Sequence, residues 1–365
     1  MKKKNVFISI TLIMIIVFST FVSAQETNFN ELTLDKAIEI AASDNRQAVI
    51  DDYEIASKET AFKKAKEDAD MSGDKSGTED VINNRIRTEA YAIEAEWALE
   101  TAKLTKANNA DQLEVDVTKI FYEILLTEKE LEKELKKLEM VRERLDMAKV
   151  RYNSKSITED VLNSAQYDLD RKELEVESVK EKLRMQDMKL KNKLNLPFNE
   201  GTLKLSGSIK LESFTEVDID KVTVEYIEKD TSVISAAGKY NAAQEIMEQT
   251  EKFLRKGSTL YDDNRVALES AIRDYEAARR NAEVNIRNTY NDLLSLKDNL
   301  VLAQKYEDLM AKRLESAKTK YQKGFISKDS YMSTEELYLD SIYNSIKAIY
   351  DFNMKLVSFN SMIKK

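Results

Sequence analysis

The sequence predicts an all-α fold: long antiparallel helical hairpins, made twice, of the coiled-coil or α-barrel type, with one small β element near 200–212. Three observations carry this. The 365 residues contain one proline, Pro197, and seven glycines, so helices can run almost uninterrupted. Residues 117–163 realign on 286–332 at a constant offset with no gap. The apolar residues of both segments recur at heptad spacing, as in helices packed side by side.

The matched pairs are Leu125/Leu294, Leu131/Leu300, Lys136/Lys305, Arg144/Arg313, Leu145/Leu314, Ala148/Ala317, Lys149/Lys318, Tyr152/Tyr321, Ile157/Ile326, Asp160/Asp329 and Ser164/Ser333. Most fall on the apolar seam or at a shared corner. Heptads alone explain the leucines but not the corner. A weaker echo joins LTLDKAIEIAASDN at 32–45 to VDIDKVTVEYIEKD at 217–230. The duplicated unit is therefore a helical hairpin of roughly domain size.

Residues 1–24 read as a secretory signal: Lys2, Lys3 and Lys4, an apolar run from Val6 to Val22, and the small-residue cleavage site Val22-Ser23-Ala24. Because the run is only slightly short of a spanning helix, an uncleaved anchor is the alternative. No later segment is long and apolar enough to be a membrane helix. The chain has no cysteine, so neither a disulfide nor a lipid-modified thiol is available. Loss of the three signal lysines takes the formal net charge from −9 to −12. Nucleic acid and anionic membrane surfaces are then poor partners.

The first repeat spans 25–197. Its arm, about 33–68, opens with Thr33 or Asp35 as cap, runs through Ala37, Ile38, Ala41 and Ala42, and bends at Asn45. A polar loop follows at 69–80. The pattern is then helical to about 152, with Ile124, Leu131, Leu138, Leu145 and Tyr152 as a strict heptad supplemented by Leu135, Val141 and Ala148. A helix of that length is about 110 Å long, which makes the molecule a rod. The chain turns at Asn153–Thr158 and returns to about 195, capped by Thr158 or by a Ser156–Glu159 capping box. Pro197 ends it.

Residues 198–216 form a linker in which Leu203, Leu205, Ile209 and Leu211 alternate around Ser206-Gly207-Ser208, a strand or hairpin pattern. The second repeat spans 217–365: an arm at about 218–254, a loop at 254–265, and a long helix at about 264–322. That helix carries Leu293, Leu300, Leu314 and Tyr321 on one heptad position, which Glu307 interrupts. After a corner at Lys323–Ser327 the last helix, capped by Ser327, closes on Ile342, Ile346, Ile349 and Leu356.

Without His or Cys there is no Ser–His or Cys–His nucleophile pair and no usual zinc ligand set. No glycine-rich phosphate loop occurs, and the many carboxylate pairs belong to solvated helix faces. No catalytic residue, cofactor or metal is expected, and the protein reads as a non-enzyme.

The opening LTLDKAIEIAASDN resembles the first helix of the TolC family of outer-membrane efflux channels. The blocks at 117–152 and 286–327 are similar to that family's two long tunnel helices and their tips. The resemblance covers nearly the whole mature chain and is carried by the order and duplication of its motifs. It implies a homotrimer in which four helical strands per protomer build a twelve-helix tunnel, together with a periplasmic adaptor (membrane fusion) protein and an inner-membrane pump. By position, the adaptor-docking tips are Asn153, Ser154, Lys155, Ser156, Ile157 and Thr158, and Lys323, Gly324, Phe325, Ile326 and Ser327. Gly324 matches the family's corner glycine, and Lys155 departs from it. An acidic pore constriction would fall to Asp160 and Asp329, one residue before the family's usual position, held here by Val161 and Ser330.

Family members also place a β-hairpin between each arm and its long helix, so that three protomers build a membrane barrel. The equivalent segments here, 69–80 and 254–265, are too short and polar for two spanning strands of 9–11 residues each. The expectation is thus an exported efflux or secretion conduit component of the cell envelope, without the barrel. The alternative is an exported coiled-coil docking protein that kept the scaffold and lost transport.

Overall fold

The computed structural model describes residues 31–71, 79–199 and 201–364. The export signal lies outside these residues, as does residue 72–78 of the first predicted loop. Eight helices are described: α1 Leu34–Ser43, α2 Arg46–Met71, α3 Glu79–Asn153, α4 Glu159–Lys193, α5 Ile219–Lys229, α6 Thr231–Phe253, α7 Thr259–Gln322 and α8 Lys328–Ile363. At 75 residues, α3 is about 110 Å long.

The duplication is as regular in space as in sequence. The corners match at an offset of 169, with Asn153 against Gln322 as last helical residues and Glu159 against Lys328 as first. Each arm is two helices rather than one, and the same caps break both. Thr33 accepts from the Lys36 N–H at 3.4 Å, and its counterpart Asp218 accepts from Asp220 and Lys221. Asn45 accepts from Gln47 and Ala48, as Asp230 does from Ser232 and Val233. A short polar side chain that satisfies the first N–H groups of a new helix also ends the old one.

Contacts between helices give the lateral order α4, α3, α8, α7, with α2 lying on α3 and α6 on both α3 and α7. Two apolar clusters hold the waist, and they are equivalent. The first joins Val117, Phe121 and Ile124 of α3 to Leu190 of α4 and its C-cap Leu194, and to α1 through Ala37 and Ala41. In the second, Ile286, Tyr290 and Leu293 of α7 meet Phe352, Leu356 and Phe359 of α8 and Tyr226 and Ile227 of α5. The short helices are thus amphipathic wedges that fill the space where the returning helices end.

The predicted heptads form the seams, with one shift. Ile124, Leu138, Leu145 and Ala148 are buried, as are Leu293 and Leu300; Leu131, Val141 and Leu314 are half-buried, whereas Leu135 points off the seam and is exposed, as are Tyr152 and Tyr321 close to the corners. In α8 Leu356 is buried but Ile342, Ile346 and Ile349 are half-buried, and the serines Ser341 and Ser345 go fully inside. That helix packs between α3 and α7, and small side chains let the backbones approach on both sides.

The small β element is a single parallel bridge, Leu205 to Leu32, and no hairpin turn forms at Ser206–Ser208. The Leu32 N–H donates to the Lys204 carbonyl and the Ser206 N–H to the Leu32 carbonyl. The linker finds no second strand because helix side chains take its backbone groups. Buried Asp187 accepts from the Leu203 N–H at 2.8 Å, and its ion-pair partner Lys191 donates to the Gly201 carbonyl at 2.7 Å. Farther on, buried Asn353 accepts from the Glu212 N–H and donates to the Lys210 carbonyl. The alternating Leu203, Leu205 and Ile209 pack on the first cluster, and Phe214 and Val217 on the second. One extended segment therefore ties the two hairpins together at the waist.

Candidate functional site

The most distinctive chemistry of the chain lies at its two corners. Each long helix ends in the same backbone motif. In the first corner the Lys155 N–H donates to the Tyr152 carbonyl and the Ser156 N–H to the Arg151 carbonyl, both at 2.8 Å. In the second, Gly324 donates to Tyr321 and Phe325 to Lys320, at 2.9 and 2.8 Å. This pairing satisfies the last carbonyls of a helix and requires a left-handed residue at the bend. Lys155 has φ 56° and Gly324 φ 77°. The lysine therefore replaces the glycine without changing the path of the chain.

Exposure is also shared between the corners. Ile157 and Ile326 are half-buried, while Asn153, Ser154, Lys155, Ser156 and Thr158 are exposed, as are Lys323, Gly324, Phe325 and Ser327. Phe325 is 76% exposed, and its counterpart Ser156 shares a hydrogen bond with Ser154. The caps differ. The Ser327 hydroxyl accepts from the Ser330 N–H at 3.1 Å, whereas Thr158 stands at the N-cap position and makes no side-chain cap.

Both corners lie at one end of the rod, held by a polar seam between α3 and α8. Arg144 donates to Asp329 at 2.8 Å, to Glu336 at 2.6 Å and to Ser333 at 3.2 Å. Burial works against its charge, but the Glu336 and Asp329 carboxylates outweigh this and hold the guanidinium above its ordinary value. Lys328 pairs with Glu143, and Lys137 with Asp340 at 2.5 Å. Lys133 sits over the Tyr343 ring at 4.4 Å; burial and the nearby Glu130 charge push that phenol up to about 12.

The structure therefore separates the two predicted constriction residues. Asp329 is held by Arg144, whereas Asp160 is exposed and makes no ion pair among the described residues. The seam itself was not read from the sequence. Its signal was present in the repeat, which retains Arg144/Arg313, Asp160/Asp329 and Ser164/Ser333, but which helices would meet was not.

At the other end of the rod, α2, α3, α6 and α7 enclose a cleft of about 990 Å³ lined by Tyr91, Trp97 and Ile246 among others. The junction from α6 to α7 is the five residues 254–258, with no strand. No described helix is long and apolar enough to cross a membrane.

No protein-family model and no curated protein matches the sequence. Solved structures do match. The outer membrane protein VceC of Vibrio cholerae aligns with TM-score 0.66 at 11% identity over 90% of this chain and 95% of that one. The Campylobacter jejuni CmeC outer membrane channel gives 0.60 at 11% identity, covering 92% and 86%. The open state of the Neisseria gonorrhoeae MtrE outer membrane channel gives 0.57 at 13% identity, covering 90% and 88%. The chain thus has the fold of these outer-membrane channels, and the TolC-family resemblance carried by its motifs holds at the level of fold.

Proposed function

We propose that the mature chain is the wall of a TolC-like efflux or secretion conduit, working by passage of cargo and not by catalysis. The observation that carries this is the duplicated hairpin, whose two matching corners stand exposed at one end of a rod with an outer-membrane channel fold. In this reading residues 1–24 direct export to the cell envelope, and 25–197 and 217–365 are the two wall units of a homotrimer. The corners 153–158 and 323–327 dock an adaptor protein that links the tube to an inner-membrane pump. Phe325 is the apolar anchor of that contact. Asp160 and Asp329 form the acidic narrowing inside the tips.

The tube ends without a membrane barrel of its own. Residues 254–258 are too few for even one spanning strand. The same junction favours the second reading, an exported rod that docks partners without conducting. Particle imaging of the purified mature protein separates the two: a hollow three-fold tube is expected, and isolated rods would sink the conduit. Phe325→Asp should abolish adaptor binding in a pull-down while leaving thermal unfolding unchanged.

A further inference from the structure

The cleft between α2, α3, α6 and α7, about 990 Å³, lies at the upper end of the roughly 300–1,000 Å³ that a small organic ligand occupies. Its floor is apolar. Ile86 and Ala102 of α3, Ala242 of α6 and Ala271 of α7 line it and are buried. The three alanines leave the space open, because larger side chains at those places would fill it. Trp97 and Tyr91 of α3 supply its aromatic surface. The indole is half-buried and lies so close to Gly238 of α6 that a Cβ there would stand 2.5 Å from the ring. Trp97 is therefore held as part of the wall.

Six charged side chains surround this floor, three of each sign. Lys58, Arg87 and Lys239 are the cations, and Glu54, Glu94 and Asp274 the anions. None of them makes a side-chain hydrogen bond or an ion pair among the described residues. Elsewhere on the same helices such groups do pair, Lys106 with Asp52 and Arg85 with Glu89. Solvated charges on a helix are ordinary. Six left free around one apolar cavity are a set of partners for something else. Lys239 and Asp274 are the best placed to act together. They precede Tyr240 and Tyr275, whose rings stack at 5.7 Å between α6 and α7. Adjoining helices thus offer an ammonium and a carboxylate that do not neutralise each other.

We propose that the cleft binds a single-chain lipid whose head carries a phosphate and an ammonium group. Charge balance selects the head. A bare anion would meet three carboxylates and a bare cation three basic groups, whereas a zwitterion finds a partner for each of its charges. The apolar floor selects the body, since an alkyl chain gains by burial and asks for no hydrogen bond. The chain lies along Ile86, Ala102, Ala242 and Ala271 beside Trp97. The phosphate meets Lys239 and the ammonium meets Asp274. One copy of the protein supplies every lining residue, so the site needs neither a second copy nor a conduit. A bound chain touches α3, α6 and α7 at once and stabilises the end of the rod away from the corners.

Trp97 is the only tryptophan, so its emission reports binding to the full mature protein. Lysophosphatidylethanolamines of increasing chain length, each below its micellar concentration, should give a saturable blue shift. The dissociation constant should fall about fourfold per added methylene. Ala267→Phe, at an exposed lining position, should fill the cleft and abolish the shift while thermal unfolding stays cooperative. Lys239→Gln and Asp274→Asn should each weaken the zwitterionic ligand about three- to fivefold and leave the weaker binding of an alkyl maltoside of the same chain length unchanged. A shift that does not saturate, an affinity independent of chain length, or full binding by Ala267→Phe would overturn the site. Equal affinity for the maltoside, or for a lysophosphatidic acid that lacks the ammonium, would overturn the zwitterionic head.

Discussion

Lys155 and Gly324 occupy the same left-handed corner, and only one of them is suited to it. A residue with a side chain pays steric strain at such a φ, on the order of 1 kcal/mol. No atom lies within 4 Å of where a Cβ on Gly324 would stand, so backbone strain is the whole effect of adding one. Gly324→Ala should therefore destabilise the protein by about 1 kcal/mol and Lys155→Gly should stabilise it by a similar amount. Urea midpoints measure both, and a neutral Gly324→Ala would contradict the conformation. Asn353 is a residue of another kind, since its amide completes two backbone hydrogen bonds of the linker. Asn353→Leu leaves a buried donor and acceptor unpaired and should cost about 3 kcal/mol.

At the scale of elements, Gly238 of α6 packs directly against Trp97 of α3. A Cβ on Gly238 would stand 2.5 Å from the indole, a rigid bicyclic ring that cannot give way cheaply. Gly238→Ala should cost about 1–3 kcal/mol. Trp97 is the only tryptophan, so its emission reports the displacement directly; an unchanged spectrum and midpoint would exclude the contact. The α3–α4 pair carries the pH response. Burial works to raise Asp116 and Glu134, but hydrogen bonds from Lys193 and Gln112 to the first, and from Lys133 and Lys172 to the second, hold both below their ordinary values. Stability from a lowered carboxylate is complete above its unfolded value, about 4, and is lost as pH falls through the folded value. Glu128 pulls the other way, because burial raises it. At pH 7 Glu134→Gln should therefore lower the urea midpoint and Glu128→Gln raise it, with the Glu134→Gln deficit shrinking below about pH 4. A deficit that stays constant from pH 7 to 3 would rule out the Glu134 linkage.

For the whole molecule, length is the property that follows most directly from the fold. A compact chain of this size has a radius of gyration near about 21 Å, whereas a rod of about 110 Å has one of about 32 Å or more. Small-angle scattering of dilute monomer should give the larger value, and the smaller one would require the long helices to be broken. A single row of four long helices has little interior of its own, so most of its surface must face solvent, a lumen or another copy.

Much of this architecture follows from the sequence alone. Scarce breakers, heptads and a gapless repeat determine two long hairpins, and the corner residues 153–158 and 323–327 fall where the repeat places them. Local physics suffices there, because helix periodicity and capping depend on neighbours within a few positions. The linker shows where it fails: alternating Leu203, Leu205 and Ile209 read as a hairpin, yet Asp187, Lys191 and Asn353 claim its backbone groups from helices distant in sequence. Tertiary structure also decided that Asp329 is paired and Asp160 is not, and that α3 meets α8 while α4 and α7 stay open. Which side chains meet across a seam depends on the lateral order of helices, and a heptad defines a sticky face without naming what it will face.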